Sequence, residues 1–325
     1  MNLHKNTDTF VKIIQASADH LSIPAVYVEK DYWVTYILRN LSRSIYKERP
    51  IFKGGTSLSK AHKLIHRFSE DIDFAFHLPG FSGNQIKNYI RDAEAKITHG
   101  LVYLPDHPGE SKHGLFRKTW FRYPRHVNGE FAQASPELLL EINAFTTPEP
   151  YSLKPVYSLI AESLNVMGRS DLVKIFGLVA FEVNVLNIER TAAEKIMGLI
   201  RASREENAEK HLKAKIRHIY DLCLIKRDET YSALFADNNL LSMLMKVMAA
   251  DRQQFTCAGN WLDRPIYEAT IFSDAASLWQ KIKTEFHVGF APLVYDNDLP
   301  GDDEVMSMLE AVQAQIFHSA IAPAH

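Results

Sequence analysis

"KGGTSLSKAHKLIHRFSEDIDFAF", residues 53–76, sets two adjacent glycines and two hydroxyls ahead of a short helical pattern, then ends in an apolar strand that carries two aspartates. Side chains alternate between the faces of a strand, so Asp71 and Asp73 share one face while Ile72, Phe74 and Phe76 take the other. The hydrophobes fill a core and both carboxylates converge on a cleft. Two carboxylates held that close raise each other's proton affinity unless a divalent cation lies between them. Mg²⁺, with Mn²⁺ as the alternative, takes oxygen ligands and binds through one or two carboxylates plus substrate phosphates. The pair therefore predicts a metal and nucleotide site. Just upstream, Gly54 and Gly55 permit positive φ and close approach to a ligand, and Thr56 or Ser57 is expected to cap a helix through Leu58, Ala61, Leu64 and Ile65. The N–H groups and positive dipole end of that helix suit a triphosphate. Gly-Gly-Thr-Ser taken alone reads equally as a glycine turn with a helix cap, followed by an edge strand with solvated aspartates.

Length and charge bound what such a site can serve. The chain has 325 residues, 46% of them hydrophobic, enough for one large or two coupled domains. With 37 Lys and Arg against 39 Asp and Glu, the formal charge of -2 excludes a protein held to nucleic acid by bulk charge; any such contact must be a local patch. Cys223 and Cys257 are the only cysteines, which excludes a disulfide framework and fits a reducing cytoplasm. "MNLHKNTDTF" lacks the apolar core of a signal peptide, and "IFGLVAFEVNVL" is interrupted by Glu182 and too short to span a bilayer. A soluble cytoplasmic protein with no membrane partner is expected.

Along the chain, residues 8–46 read as two helices, the second with Tyr32, Tyr36, Ile37 and Leu41 at helical spacing. From Pro50 to about Ala144 the pattern becomes short strands, with a helix after the glycines and another around "SGNQIKNYIRDAEAKI". "DHPGESKHG" reads as a polar turn, and the proline-rich "TTPEPYSLKP" as a connection between subdomains. The division expected is 1–150, N-terminal helices and mixed core, and 151–325, a strand and a mainly helical C-terminal domain. Helical patterns cover 191–203 and 209–226, and the chain beyond Asp228 reads as helices with loops such as "YDNDLPGDDEV".

Two small residues, a helix, then Asp-hydrophobic-Asp-hydrophobic resembles the signature of the nucleotidyltransferase fold shared with DNA polymerase β, and "KGGTSLSK…RFSEDIDF" resembles its AbiEii-type toxin branch. "VEKDYWVTYILRNL", "LLLEINAF" at 138–145, "IERTAAEKIMGLIR" at 188–201 and "RHIYDL" at 217–222 follow in the order of that branch, so the resemblance spans roughly residues 10–225. The gap between Gly55 and Asp71 is longer than in the general superfamily pattern, though usual for this branch. The resemblance implies an α+β fold with a polymerase β-like core, and the toxin of a toxin–antitoxin pair.

It also bears on residues that are ambiguous by themselves. Glu141 lies in an apolar strand between Leu140 and Ile142, where a lone charge must be paired, as with an arginine, or bind a cation. The resemblance makes it the third metal ligand, beside the Asp-x-Asp strand, and a candidate general base. Thr191 and Glu194 read as a capping box, with Lys195 at the margin of a stripe formed by Ala192, Ile196, Leu199 and Ile200. A helical lysine is ordinarily solvated; the resemblance implies that Lys195 contacts nucleotide phosphates, as Thr56 and Ser57 would. Asp221 reads as an i,i+4 partner of Arg217 on a helix with core face Leu212, Ile216, Ile219 and Cys223, whereas the resemblance implies that it orients Lys195 or the nucleotide.

By position, Lys60 and Arg67 are expected to contact phosphate, and His62 and His66 to be surface helix residues. "FRKTWFRYPRH", residues 116–126, interleaves cations with aromatics, which fits single-stranded nucleic acid but equally a strand with one aromatic and one basic face. The resemblance implies transfer of a nucleoside monophosphate from an NTP to a hydroxyl, with the 3′ end of tRNA as the favoured acceptor and a cognate antitoxin as partner. A protein or small-molecule acceptor, or a non-catalytic nucleotide-binding module, are the alternatives.

Overall fold

The computed structural model describes residues 1–69, 71–131, 135–236, 238–254, 263–295 and 298–321. Cys257 and part of the expected loop at 295–305 lie outside the described residues. The chain forms two compact units, Met1–Lys63 with Arg67–Leu186, and Leu64–His66 with Asn187 onward. The division falls at Leu186, where the sequence reading drew it at 150. The reason is local: Tyr151–Val156, expected to be a connection, forms a strand that pairs along its whole length with Phe181–Leu186, so this hairpin belongs to the first unit.

The first unit is an α+β layer structure. Helices α1 (Thr7–Leu21) and α2 (Ala25–Ser42) precede strand β1 (Pro50–Lys53), helix α3 (Gly54–Lys60), strand β2 (Asp71–Phe76) and helix α4 (Gly83–Ile97). Then come β3 (Val102–Tyr103), β4 (Ser111–His113), β5 (Phe116–Arg122), β6 (Leu138–Asn143), β7 (Tyr151–Val156), α5 (Leu159–Val166), α6 (Ser170–Ile175) and β8 (Phe181–Leu186). The sheet runs β3-β5-β6-β2-β1-β8-β7, with β4 also on β5. It is mixed: β2–β6 and β1–β8 are parallel and the other pairs antiparallel. Part of the expected polar turn 106–114 is strand, since β4 pairs with β5.

Helix α4 is set by its sequence. Ser82 and Gln85 form a reciprocal capping box, and Ile86, Ile90, Ala93 and Ile97 make a buried stripe. From the same helix Glu94 accepts two hydrogen bonds from Arg117 (2.6 and 2.8 Å) and one from Thr119 Oγ1 (3.0 Å). Arg117, one cation of the expected basic patch, is therefore held on the core side of β5.

Helix α2 is buried on nearly all sides, and three consecutive charges on it fasten three other segments. Glu29 accepts the backbone N–H groups of His126 (2.7 Å) and Val127 (3.2 Å). Lys30 donates to the Ser135 carbonyl (2.5 Å), and Asp31 accepts from the Leu159 N–H (2.8 Å) and pairs with Lys60. A buried charge is tolerated only when paired in this way.

The second unit is helical: α7 (Ile188–Arg204), α8 (Ala208–Lys213), α9 (Ile216–Arg227), α10 (Asn238–Gln254), α11 (Thr270–Ser273), α12 (Ala275–Thr284) and α13 (Asp302–Ile321). The single pattern expected at 209–226 is two helices. Among the described residues, no helix is long and apolar enough to cross a membrane.

Candidate active site

The parallel pairing of β2 with β6 sets Asp73 directly beside Glu141, and Asp71 beside Leu139. Paired residues share a face, so Asp71, Asp73 and Glu141 all stand on one side of the sheet, while Ile72, Phe74, Leu140 and Ile142 are fully buried on the other. The row continues in both directions: Lys53 on β1 registers with Asp73, and Lys118 on β5 with Glu141. Lys53, Asp73, Glu141 and Lys118 thus form a cross-strand row, two acids between two bases. Lys118 Nζ lies 3.8 Å from Glu141 Oε2, each side chain about one-third exposed (34% and 33%), so the attraction is weak and solvent-screened. Glu141 is accordingly no buried partner of an arginine. Neither Lys53 nor the pairing role of Lys118 is legible in sequence, because both depend on register between strands far apart in the chain.

The glycines have separate tasks. Gly54 turns the chain from β1 into α3 with φ +75°, and a Cβ there would collide with Asp73 Oδ2. A Cβ on Gly55 would collide with Arg67 Nη2. Arg67 is buried, and its Nη1 donates to the Phe68 carbonyl (3.2 Å). It lies against the glycine turn.

Several expectations about this turn need correcting. Helix α3 begins at Gly54 and ends at Lys60, so Leu64 and Ile65 lie beyond it and neither Thr56 nor Ser57 is its cap. Both hydroxyls are buried and bonded to backbone: Thr56 Oγ1 to the Asp71 carbonyl, with Ser69 Oγ at 2.9 Å, and Ser57 Oγ to the Gly54 carbonyl at 2.8 Å. They lock the start of β2 and the glycine turn. Lys60 is buried in its pair with Asp31 and is not exposed for phosphate; burial pushes its proton affinity down and Asp31 opposes this. His62 also lies outside the helix, with Nε2 2.9 Å from the Leu186 carbonyl and its charged form disfavoured by burial. His66 is exposed, but it too lies outside α3.

The carboxylates offer the oxygen donors that a hard cation takes. Among the described residues, no three His, Cys, Asp or Glu side chains are already gathered as a metal-binding set. The backbone register brings the acids to one face, and Glu141 leans toward Lys118. The donor chemistry fits a divalent cation bound through Asp71, Asp73 and Glu141.

Lys195 and Asp221 meet in the second unit. Lys195 Nζ is 2.6 Å from Asp221 Oδ2, with side-chain exposures of 7% and 0%. Asp221, read from sequence as a partner of Arg217, is fastened to the lysine that the resemblance assigned to it. His218 Nδ1 lies 3.3 Å from the Lys195 carbonyl, its ring seated where Gly198 has no side chain. Burial, then the Lys195 charge, pushes His218 well below the usual histidine range. The expected capping box at Thr191 and Glu194 does not form. Helix α7 starts three residues earlier, after Asn187, so Thr191 Oγ1 donates to the Asn187 carbonyl (3.0 Å) and Glu194 accepts from Arg190 (3.2 Å).

A sequence model of the family described as "Nucleotidyl transferase AbiEii toxin, Type IV TA system" matches residues 36–306. No curated protein matches. Among solved structures, MenT4, a nucleotidyltransferase toxin from Mycobacterium tuberculosis H37Rv, is similar over 94% of this chain and 98% of its own, with a TM-score of 0.51 and 17% identity, a likeness of fold.

Proposed function

The chain belongs to the AbiEii family of nucleotidyltransferase toxins of type IV toxin–antitoxin systems, and on that premise we propose that it transfers a nucleoside monophosphate from an NTP to the 3′ end of a tRNA. Family membership brings an NTP substrate and an antitoxin partner. The observation that supports the transfer chemistry is the register of Asp73 with Glu141 on the face that also bears Asp71, with Gly54 against the Asp73 carboxylate; the tRNA end rests on the family resemblance.

In the proposed reaction the acceptor hydroxyl attacks the α-phosphorus of the NTP. An O–P bond forms, the bond to the bridging oxygen breaks, and pyrophosphate departs. Asp71, Asp73 and Glu141 would hold Mg²⁺ or Mn²⁺, which would supply positive charge against the triphosphate and make the proton of the acceptor hydroxyl more acidic. Glu141 accepts that proton at a carboxylate oxygen. Lys195, which the family resemblance assigns to the phosphates, is proposed to meet them as a point charge by exchanging its buried pair with Asp221 for phosphate. The compartment proposed is the cytoplasm, where tRNA and NTPs are abundant.

The test is incubation of the purified protein with each labelled NTP, magnesium and total cellular RNA. Label in the tRNA fraction is the expected result. Label on a protein or a small hydroxylated compound would leave the transferase and replace the acceptor, and nucleotide binding without label transfer to any acceptor would overturn the reading.

A further inference from the structure

We propose that one face of β5, bearing Phe116, Lys118, Trp120 and Arg122, is the track along which the single-stranded end of the acceptor lies. The proposal rests on the nucleotidyl-transfer reading and assigns the residues that bind its acceptor.

Alternation along a strand sends residues 116, 118, 120 and 122 to one face and 117, 119 and 121 to the other. The second set is committed to the fold: Arg117 and Thr119 bind Glu94, and Phe121 is buried. A strand that merely divided an aromatic face from a solvated basic one would gather its rings on one side. Here ring, cation, ring and cation succeed one another on the same face, the pattern that single-stranded nucleic acid uses, with rings for bases and cations for phosphates.

The register ties that face to the acids. Lys118 is the direct neighbour of Glu141, and Trp120 is the neighbour of Leu139, itself the neighbour of Asp71. With strands about 4.8 Å apart, the track runs one strand from Glu141 and two from the aspartates. Trp120 is held by packing: its ring stacks on His107 at 4.1 Å and 26°, and Gly109 leaves room that a Cβ would narrow to 3.1 Å. Its Nε1 has no hydrogen-bond partner among the described residues. Phe116 and Trp120 are half-buried, and Arg122 is exposed at the far end. In a chain of net charge -2, such a local run of cations is what a polyanion can use.

The experiment measures binding of a 5′-labelled single-stranded RNA oligonucleotide to the full chain by fluorescence anisotropy, without NTP or metal, across a salt series. Trp120→Ala is expected to weaken binding about tenfold and Trp120→Phe to restore most of it. Arg122→Gln, at an exposed position that does not threaten folding, is expected to reduce the salt slope by about 0.7. NTP affinity, measured separately with magnesium, is expected to stay the same in the Trp120 and Arg122 variants. Unchanged oligonucleotide affinity in folded Trp120→Ala together with an unchanged salt slope in Arg122→Gln would overturn the proposal. So would duplex RNA binding as tightly as the single strand, or a wild-type protein that labels a protein and binds no oligonucleotide. Because the assay needs neither NTP nor turnover, failure of the transfer reading leaves its result interpretable.

Discussion

Gly54 lies against the carboxylate of Asp73, so close that any side chain at residue 54 would occupy the position of Oδ2. With φ +75° at Gly54, alanine there meets both backbone strain and a collision. Gly80 has φ +81° and open space around it, so Gly80→Ala reports the backbone part alone, about 1–2 kcal/mol. Gly54→Ala is expected to cost about 3 kcal/mol in urea unfolding and to abolish nucleotidyl transfer. Equal losses in the two variants would mean that Asp73 does not depend on this contact.

The three acids stand on the half-exposed face, opposite fully buried hydrophobes, so neutral isosteres should spare the fold. Asp71→Asn, Asp73→Asn and Glu141→Gln are each expected to lower transfer about 10²-fold or more, with melting temperatures within a few degrees of wild type. Label transfer beside a thermal melt checks both parts. Full activity in Asp73→Asn would end the metal assignment.

Lys60 sits in a buried pair with Asp31, which also receives the Leu159 N–H. Asp31→Ala strands a buried ammonium and is expected to cost about 3–5 kcal/mol. Asp31→Leu with Lys60→Met is expected to recover much of this in a double-mutant cycle. If Lys60 instead served phosphate, Lys60→Met would raise the KM for NTP while stability held.

The Lys195–Asp221 pair separates structure from chemistry in the same way. Lys195→Met alone takes the ammonium away from the fully buried Asp221 and is expected to cost about 3 kcal/mol. Lys195→Met with Asp221→Leu is expected to regain stability without regaining NTP affinity. Recovery of both would make the pair purely structural.

His218 gives a pH dependence of defined sign. Its folded-state proton affinity is depressed, first by burial and then by Lys195, with Lys215 acting in the same direction and Asp221 against it. Below the ordinary histidine value of about 6.5 the unfolded chain therefore binds a proton that the folded chain refuses. Stability attributable to His218 is full above that value and falls as pH drops through it, by up to about 1.4 kcal/mol per pH unit. His218→Gln is expected to flatten the acid limb of the stability curve by that amount in urea titrations between pH 7 and pH 5. An unchanged limb would mean that the ring is protonated in the fold.

Much of the fold was legible because its signals are local. The alternation in β2 and β6, the helical pattern of "SGNQIKNYIRDAEAKI" and the helical spacing of α2 each involve residues a few positions apart. Misreadings arose where a local signal had a stronger competitor. Thr56, Ser57 and Thr191 look like caps, yet each hydroxyl bonds backbone within the turn, strand or helix it stabilises. Lys60 looks like a free cation because Asp31, its partner, is 29 residues away. The "VEKDYW" charges read as a signature and turned out to be fasteners for three separate segments.

The order of residues alone determined that Asp71 and Asp73 share a face and that Glu141 interrupts an apolar strand, because strand periodicity is fixed by backbone geometry. Only the tertiary structure decided that Glu141 stands beside Asp73, that lysines flank the acids, and that the β5 face bearing Phe116, Lys118, Trp120 and Arg122 lies next to them. Register between distant strands is set by the packing of whole hydrophobic faces, here Ile72, Phe74, Leu140 and Ile142 against the core. A slip of one residue would have turned every one of these charges to the other side, and no short stretch of sequence records which register wins.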